Sequence, residues 1–333
     1  MHETVHGKMA NVEQTRLVVV DSIINEADQI RLFRVRSVGD DVLEKYEPGA
    51  HVDVVTPSGF TRQYSLCGDP ACEDSYLFAV KREVGSRGGS SSLHEFLSVG
   101  SELRIGRPRN IFRLHDAAEF HLLIAAGIGI TPLLSMAYRL ASVNSPFVIH
   151  YFVRSLDQAA FAKVLSSPPF WGHVVFHVGV SRDAVAKELD DAFSSIAAGT
   201  HVYTCGPNGF MDKVVAAGER RLPPDSIHLE RFQASPTNTS EERSDAGFTV
   251  KIASSGQTVR VAEGTTIVRA LSEIGVEIET SCEEGICGTC IVGVLGGDIE
   301  HRDQCLSKTE KARNDAICCC VSRASSAEIV LDL

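Results

Sequence analysis

Four cysteines in the last quarter of the chain have a spacing that suits a metal cluster. Cys282, Cys287, Cys290 and Cys320 follow the pattern C-x4-C-x2-C-x29-C. Three thiolates on one short loop, with a fourth from far along the chain, are the plant-type ligand set of a [2Fe–2S] cluster. The spacing therefore predicts an iron–sulfur site, and such a site accepts one electron at a time.

Two other uses of cysteine fit this pattern less well. A zinc site usually shows two C-x2-C knuckles, and only Cys287 and Cys290 have that spacing. A disulfide framework is typical of short secreted chains. This chain has 333 residues and begins MHETVHGKMANVEQTR, without an apolar signal segment. Iron–sulfur chemistry is the interpretation that the residues favour.

Three consecutive cysteines compete for the role of the fourth ligand. Cys320 fits best by spacing, and it opens the stretch CVSRA, so we assign the role to Cys320. The roles of Cys318 and Cys319 stay open. Cys305 lies too close to the first three ligands to match the pattern, and its role stays open as well.

Composition narrows the range of partners. Hydrophobic residues make up 44% of the chain and charged residues 23%, as in ordinary globular proteins. No apolar run approaches the roughly 20 residues of a membrane span. The formal net charge of −11 argues against a nucleic-acid partner. An acidic surface suits docking to a basic patch on another protein, although excess acid more often only aids solubility. Ten cysteines without a secretion signal indicate the reducing cytoplasm.

The chain is expected to divide into three domains. A polar stretch without large apolar residues, 234–247, is typical of a linker. After it, 248–333 contains two alternating strands, a short helix, the cluster loop and a terminal strand, which predicts a β-grasp ferredoxin domain. Strands alternate with helices in 114–233, which predicts an α/β domain with a parallel sheet. Frequent turns between short strands in 1–113 predict a closed antiparallel β-barrel.

Two glycine-rich turns follow strands of the predicted parallel sheet. They are Gly127 to Gly129 in GIGITP and Gly206-Pro207 in CGP. A glycine pair after a strand is often only a tight turn, but ligands bind such sheets at the carboxyl ends of the strands. Thr131 is expected to cap the next helix and Pro132 to occupy its first position, and exposed N–H groups at such a helix attract phosphate.

The predicted barrel carries two features with chemical potential. Strand alternation places Arg62 and Tyr64 on one face. The loop SRGGSSS, Ser86 to Ser92, has the glycines and hydroxyls of a phosphate cradle. The plainer alternatives are a surface pair and a flexible loop.

These motifs together resemble those of the phthalate dioxygenase reductase family, which includes vanillate O-demethylase reductases. The similarity covers essentially the whole chain in the same domain order. The motifs that carry it are RQYSL, GIGITP, CGP, SCEEGICGTC with CVSRA, HRD and EIVLDL. The resemblance implies three cofactors: FMN in the barrel, NADH in the α/β domain and a [2Fe–2S] cluster in the ferredoxin domain. Residues 108–112, PRNIF, resemble the FMN branch rather than the P-x-G-x-F of FAD-binding relatives.

The resemblance also implies roles for individual residues on the flavin side. Tyr64, Ser65 and Thr131 would contact the flavin ring, and Phe232 would pack on it. The FMN phosphate would be held by the cradle and one strand residue, namely Arg62, Arg87, Gly88, Gly89 and Ser90.

On the nucleotide side, Gly127, Gly129, Gly206 and Pro207 would hold the dinucleotide. Cys205 would orient the nicotinamide, although most free cysteines are simply small buried residues. Arg154 would lie near the adenosine end, where a lone Arg could also accept the 2′-phosphate of NADPH. The family mostly uses NADH, so NADH is the expected donor.

The leading hypothesis is the reductase component of a Rieske-type, non-haem iron oxygenase system. A hydride carries two electrons and the cluster accepts one, and a flavin takes two and releases them singly. The chain shows no oxygenase motif, so the substrate that the system oxidises is not visible in it. One alternative is an FAD-containing reductase for a diiron oxygenase or a hybrid-cluster protein. Another is a redox-sensing iron–sulfur protein, which leaves the flavin and nucleotide motifs unexplained.

Overall fold

The computed structural model describes residues 15–39, 41–83, 85, 88–194, 196–234 and 247–333. The structure separates into two compact units, Met1–Glu230 and Arg231–Leu333. The three-domain division, with borders at 113 and 233, stays a prediction. Most of the expected linker, 235–246, lies outside the described residues.

The first part of unit 1 is an antiparallel sheet of six strands. Its strand order is β4-β3-β6-β1-β2-β5. Leu66, just after β4, pairs with Phe78 of β5, and Cys67 N donates to Leu77 O at 2.9 Å, which joins the two edges. Closure removes the exposed sheet edges. The strands are β1 Arg16–Ala27, β2 Ile30–Ser37, β3 His51–Val55, β4 Thr61–Ser65, β5 Tyr76–Lys81 and β6 Glu102–Ile105, and helix α1 is Gly89–Phe96.

The second part of unit 1 is a parallel sheet with helices. Its strand order is β11-β10-β7-β8-β9. The central strand β7 has an unbroken buried run from His121 to Ala126, as expected for a parallel sheet covered on both faces. The strands are β7 Phe120–Ala126, β8 Phe147–Val153, β9 Val174–Val178, β10 Thr200–Cys205 and β11 Ile227–Glu230. The helices are α2 Ile130–Ser142, α3 Ala162–Leu165, α4 Val185–Ser194 and α5 Asn208–Gly218.

Unit 2 is a five-stranded mixed sheet with two short helices and a small strand pair. The order is β13-β12-β18-β14-β16, and β12 and β18 run parallel. The Thr266 hydroxyl accepts from Arg269 N at 3.2 Å and caps α6, which packs Ile267 and Leu271 into the core. The strands are β12 Phe248–Ile252, β13 Thr258–Val261, β14 Ile291–Gly296, β15 Ile299–Glu300, β16 Ala316–Cys318, β17 Arg323–Ala324 and β18 Glu328–Leu331. The helices are α6 Ile267–Glu273 and α7 Lys308–Arg313.

The expected fold class, a barrel, a parallel α/β sheet and a β-grasp-like ferredoxin unit, is therefore confirmed. Throughout the described ranges, every helix is too short or too polar to cross a lipid bilayer.

Candidate flavin, nucleotide and cluster sites

The arginine of strand β4 lies against the glycine–serine loop. A Cβ placed on Gly89 would lie 3.2 Å from Cγ of Arg62, so the glycine gives the arginine stem room. Arg62 also lies over the Phe60 ring at 4.9 Å. Gly88 precedes α1 with φ of 95°, a left-handed conformation that favours glycine. A cation beside the first turn of a helix can hold a phosphate group.

Not every member of the expected cradle is in the described part of the chain. Arg87 lies outside the described residues, together with Ser86. Ser90 lies in the first turn of α1, and its hydroxyl accepts from Glu83 N at 3.1 Å. This hydrogen bond joins the start of α1 to the segment that directly follows β5.

Tyr64 and Ser65 differ in their surroundings although they are neighbours on β4. Tyr64 is half-buried and stacks on Phe78 with ring centroids 5.6 Å apart. Burial raises the pKa of the Tyr64 hydroxyl, so it stays protonated. Ser65 is buried and points towards the parallel sheet, where its hydroxyl donates to Glu230 Oε2 at 3.1 Å. Ser65 therefore links the barrel to the end of β11.

The two glycine-rich turns press against each other. Residues Gly127–Gly129 form a single 3-10 turn between β7 and α2. A Cβ on Gly129 would overlap the Cys205 carbonyl, and one on Gly206 would come within 2.9 Å of Ala126 Cβ. Each turn needs glycine because the other approaches so closely. The carboxyl ends of β7 and β10 are thereby held in direct contact.

The start of helix α2 differs from the expectation. The helix begins at Ile130, so Thr131 lies inside its first turn and Pro132 is the third helical residue. The Thr131 hydroxyl donates to Ile128 O at 3.0 Å and does not cap a backbone N–H. The expected cap was wrong because the glycine turn continues directly into the helix. Thr131 is 2% exposed, and its flavin contact stays a prediction.

Glu230 is a buried carboxyl group that the sequence reasoning missed. It ends β11, pairs in register with Cys205 and accepts from Ser65. Burial raises its pKa to about 8, while the hydrogen bond from Ser65 opposes the shift. His51 Nδ1 lies 3.8 Å from Glu230 Oε1, and burial lowers the pKa of His51 to about 4. Both groups are therefore neutral near pH 7 and form no ion pair.

The remaining nucleotide-side residues occupy different environments. Cys205 is fully buried, and burial raises its pKa well above the usual value, so it is a thiol. Arg154 is exposed directly after β8, at the same edge of the sheet as the glycine turns. Phe232 is 38% exposed, and its packing on the flavin stays a prediction.

A separate cavity of about 470 Å³ lies between the parallel sheet and α4. Among the residues that line it, His150 Nδ1 and His177 Nε2 lie 2.9 Å apart and share a hydrogen bond. His177 Nδ1 lies 3.1 Å from Glu188 Oε2. Burial lowers the pKa of His150 to about 4 and lowers that of His177. Of the described residues that line the cavity, Phe120 and Val148 lie at or near the starts of their strands and none belongs to the glycine turns.

The cluster loop in unit 2 brings the first two expected ligands together. Cys282 and Cys287 share a hydrogen bond, which lowers the pKa of Cys287 to about 6 and raises that of Cys282. Glu284 N donates to Cys282 Sγ at 3.4 Å. Gly285 has φ of 72°, and a Cβ on it would lie 2.6 Å from Val321 Cγ2. Backbone N–H groups thus point at sulfur, as a thiolate-bound cluster requires.

The other two expected ligands meet with an additional thiol. Cys290, Cys318 and Cys320 place their sulfur atoms within 4.8 Å of one another. Hydrogen bonds from Cys318 first, and then from Cys320, lower the pKa of Cys290 to about 3. Soft thiolates held this close together suit iron. Cys290 and Cys320 therefore lie close enough to bind one metal, with Cys318 beside them, and the assignment of all four ligands stays a prediction.

Buried Asp303, in the HRD motif, holds the ligand segments together. It accepts from Leu306 N at 3.0 Å and from the Ser322 hydroxyl at 3.2 Å, and His301 Nδ1 lies 3.2 Å away. Burial alone would raise its pKa, but Leu306 N–H and the charge of Lys311 outweigh it and leave the pKa lowered. Gln304 N also donates to Gly285 O at 2.9 Å. The cluster loop and the segment after Cys320 are thus fixed to one point.

Comparisons with known proteins show what the domains of this chain are similar to. Residues 250–325 match the 2Fe-2S iron-sulfur cluster binding domain. Residues 106–224 match the N-terminal domain of dimethylamine monooxygenase subunit DmmA-like proteins. The chain is 43% identical over 307 residues to vanillate O-demethylase oxidoreductase of a Pseudomonas species, covering 92% of this chain and 96% of that protein. It is 38% identical over 293 residues to the phthalate 4,5-dioxygenase reductase subunit of Pseudomonas putida, covering 88% and 89%.

A solved structure is similar along nearly the whole chain. It is phthalate dioxygenase reductase, described as a modular structure for electron transfer from pyridine nucleotides to [2Fe-2S]. The TM-score is 0.69 at 34% identity, over 96% of this chain and 98% of that one.

Fold and sites together define a flavoprotein reductase with an iron–sulfur domain. The extent of the similarity then shows the particular group: the chain belongs to the phthalate dioxygenase reductase-like family. It is an oxidoreductase that passes electrons from pyridine nucleotide to a [2Fe–2S] cluster, as the reductase component of an oxygenase system.

Proposed function

We propose that this protein takes electrons from NADH through FMN to its cluster and delivers them to a separate Rieske-type, non-haem iron oxygenase. One observation carries the nucleotide-to-flavin part of this proposal. Ser65, the expected flavin neighbour, donates to Glu230, and Glu230 lies in register beside Cys205, the expected nicotinamide neighbour. Hydride transfer requires the two rings to be in contact, and these residues bring the two expected ring sites together.

The residues around this point would position the two rings. When bound, the flavin accepts the hydride and releases electrons singly. Ser65 and Tyr64 would line the ring, and Thr131 would face it from the start of α2. Neutral Cys205 and protonated Glu230 place no full charge beside the ring, because burial keeps both protonated at neutral pH. A buried surface without charge suits the stacking of the flavin and nicotinamide rings.

FMN is favoured over FAD by the phosphate site. Arg62 lies against Gly89 at the start of α1, so one cation and one helix start would both be available to a terminal phosphate. The PRNIF sequence after the barrel supports the same choice. The alternative, an FAD-containing reductase for a diiron oxygenase or a hybrid-cluster protein, predicts FAD in the purified protein.

NADH is favoured as the donor, with Arg154 exposed where the adenosine end would lie. A reducing cytoplasm is favoured because all ten cysteines are free in the structure. The net charge of −11 suits docking to a basic patch on the oxygenase.

The test begins with the purified full-length protein. Mass spectrometry of the released flavin should give FMN, and anaerobic NADH should bleach both the flavin and the cluster absorption. An oxygenase recovered by affinity capture should then turn over only when this protein and NADH are both present. Recovery of FAD, or cluster reduction by NADPH in preference to NADH, would contradict the corresponding part of the proposal.

A further inference from the structure

The expected ligands Cys290 and Cys320 have one further thiol, that of Cys318, beside them. A plant-type cluster takes four thiolates. Cys282 and Cys287 supply one hydrogen-bonded pair. On the other side three sulfur atoms, those of Cys290, Cys318 and Cys320, lie within 4.8 Å of one another.

The extra thiol lies at ligand distance from both of its neighbours. Cys318 Sγ is 3.4 Å from Cys290 Sγ and 3.8 Å from Cys320 Sγ. Two thiolates on one tetrahedral metal, with metal–sulfur bonds of about 2.3 Å, lie about 3.8 Å apart. A small rotation of the Cys318 side chain would therefore suffice to place its sulfur where a ligand is needed.

The contacts of the three consecutive cysteines separate Cys318 from Cys319. Cys318 ends β16 opposite Ile291 of β14, next to Cys290. Cys319 and Cys320 lie in the turn that follows β16, and this turn brings Cys320 Sγ to 3.8 Å from Cys318 Sγ. Cys319 Sγ instead lies 3.8 Å from Ile317 O and belongs to no thiol group of the described residues.

We propose that Cys318 is a reserve ligand, which can take the place of Cys320 on the cluster iron. In the exchange the bond from iron to Cys320 sulfur breaks and a bond from iron to Cys318 sulfur forms. The thiol proton of Cys318 passes to the released Cys320 thiolate, or to solvent where Cys320 is absent, and neither iron changes its oxidation state. Cys318 is fully buried whereas Cys320 is 6% exposed, so the reserve thiol is the better sheltered of the two.

The proposal rests on the ligand assignment made above, and the experiment separates the two. Five variants of the full-length protein are purified anaerobically: Cys320→Ala, Cys318→Ala, Cys319→Ala, Cys287→Ala and the Cys318→Ala/Cys320→Ala double variant. Alanine is used because serine could itself bind iron. Iron and acid-labile sulfide per chain are measured, together with the electron paramagnetic resonance spectrum of the dithionite-reduced protein.

We expect Cys318→Ala and Cys319→Ala to match the wild type. Cys320→Ala should keep more than half of the wild-type iron with shifted g values, and the double variant should keep almost none. If Cys320→Ala holds no more iron than the double variant, the reserve role is refuted. A full cluster in Cys287→Ala would instead show that the ligand assignment is wrong.

A second pair of variants guards against misfolding. Valine is close to cysteine in size and cannot bind iron, so Cys320→Val is compared with Cys320→Val/Cys318→Ala. If Cys320→Ala gives no folded unit 2 by circular dichroism, this pair decides the question. Loss of iron on removing Cys318 in that background supports the proposal. Identical iron content and identical spectra in the two proteins refute it.

Discussion

Replacing Glu230 with Gln tests the buried carboxyl group that joins the barrel to the parallel sheet. Burial raises the pKa of Glu230 from 4.5 to about 8. Over that interval the native protein keeps a proton that the unfolded chain has lost, so the stability falls as the pH rises. Glutamine keeps the size of the side chain and a hydrogen-bonding group for Ser65, but it does not ionise.

The size of the effect follows from the separation of the two pKa values. At about 1.4 kcal/mol per pH unit, the whole interval from 4.5 to 8 corresponds to a loss of about 5 kcal/mol in the free energy of unfolding. Neighbouring groups restrict the useful range. Burial lowers the pKa of His51 from 6.5 to about 4, so His51 adds a slope of opposite sign only in acid. Cys205 keeps its proton throughout, since burial raises its pKa above 9.0.

The effect of Glu230 is therefore best measured between about pH 7 and 8, where neither His51 nor Cys205 changes protonation in the native state. Glu230 begins to ionise in the native state within this range, so the expected loss there is about 1 kcal/mol. Denaturant unfolding of wild type and Glu230→Gln is followed by circular dichroism at both pH values. The difference between the two proteins in the free energy of unfolding cancels the contribution of every titrating group that they share, including those of unit 2.

We expect the wild type to lose about 1 kcal/mol more than Glu230→Gln between these pH values. Ser65→Ala serves as the control, because it removes the hydrogen bond and leaves the buried carboxyl group, so its slope should persist. Parallel pH dependence in wild type and Glu230→Gln would refute the buried, protonated state of Glu230.

Four other changes test the proposed sites. Cys287→Ala should remove the visible cluster bands and most one-electron reduction of cytochrome c, while two-electron dye reduction by NADH survives through the flavin. Arg62→Ala should weaken flavin binding by about 1.5–3 kcal/mol, roughly 10- to 150-fold in Kd, because it removes a charge-assisted contact to phosphate; fluorescence titration of flavin-free protein measures it. Arg154→Ala should raise KM for NADH modestly with kcat unchanged, and a large loss of kcat/KM confined to NADPH would instead identify NADPH as the donor. Gly129→Ala should raise KM for NADH strongly, because its Cβ would overlap the Cys205 carbonyl; unchanged kinetics would show that the turns can separate.

The sequence predicted those features that depend on local pattern. Two-residue alternation indicated the barrel strands, unbroken apolar runs indicated the parallel sheet, and cysteine spacing indicated the cluster loop. The glycine turns at Gly127 and Gly206 were recognisable because each follows a buried strand. The family model over 250–325 confirms the cluster domain.

Features that depend on distant parts of the chain were not predictable in this way. Glu230 is an ordinary acidic residue at the end of a short strand, and only packing against the barrel, where it meets Ser65 from 165 positions away, buries it; that burial keeps it protonated. Thr131 was misplaced because the sequence does not reveal that a 3-10 turn runs straight into α2. Cys318 carried no such signal, because Cys320 lies in the turn after β16 and only the fold brings the two sulfur atoms to 3.8 Å.

The pressed glycine turns also determine where this enzyme is free to change over evolution. Gly129 and Gly206 leave no room for a side chain, so the backbone that forms the proposed nucleotide site is fixed in shape. Arg154 is exposed at the rim of the same sheet edge, where substitution disturbs no packing. Donor preference could therefore drift between lineages, or be redesigned in the laboratory, by changes at the rim alone. The hydride geometry would be inherited unchanged.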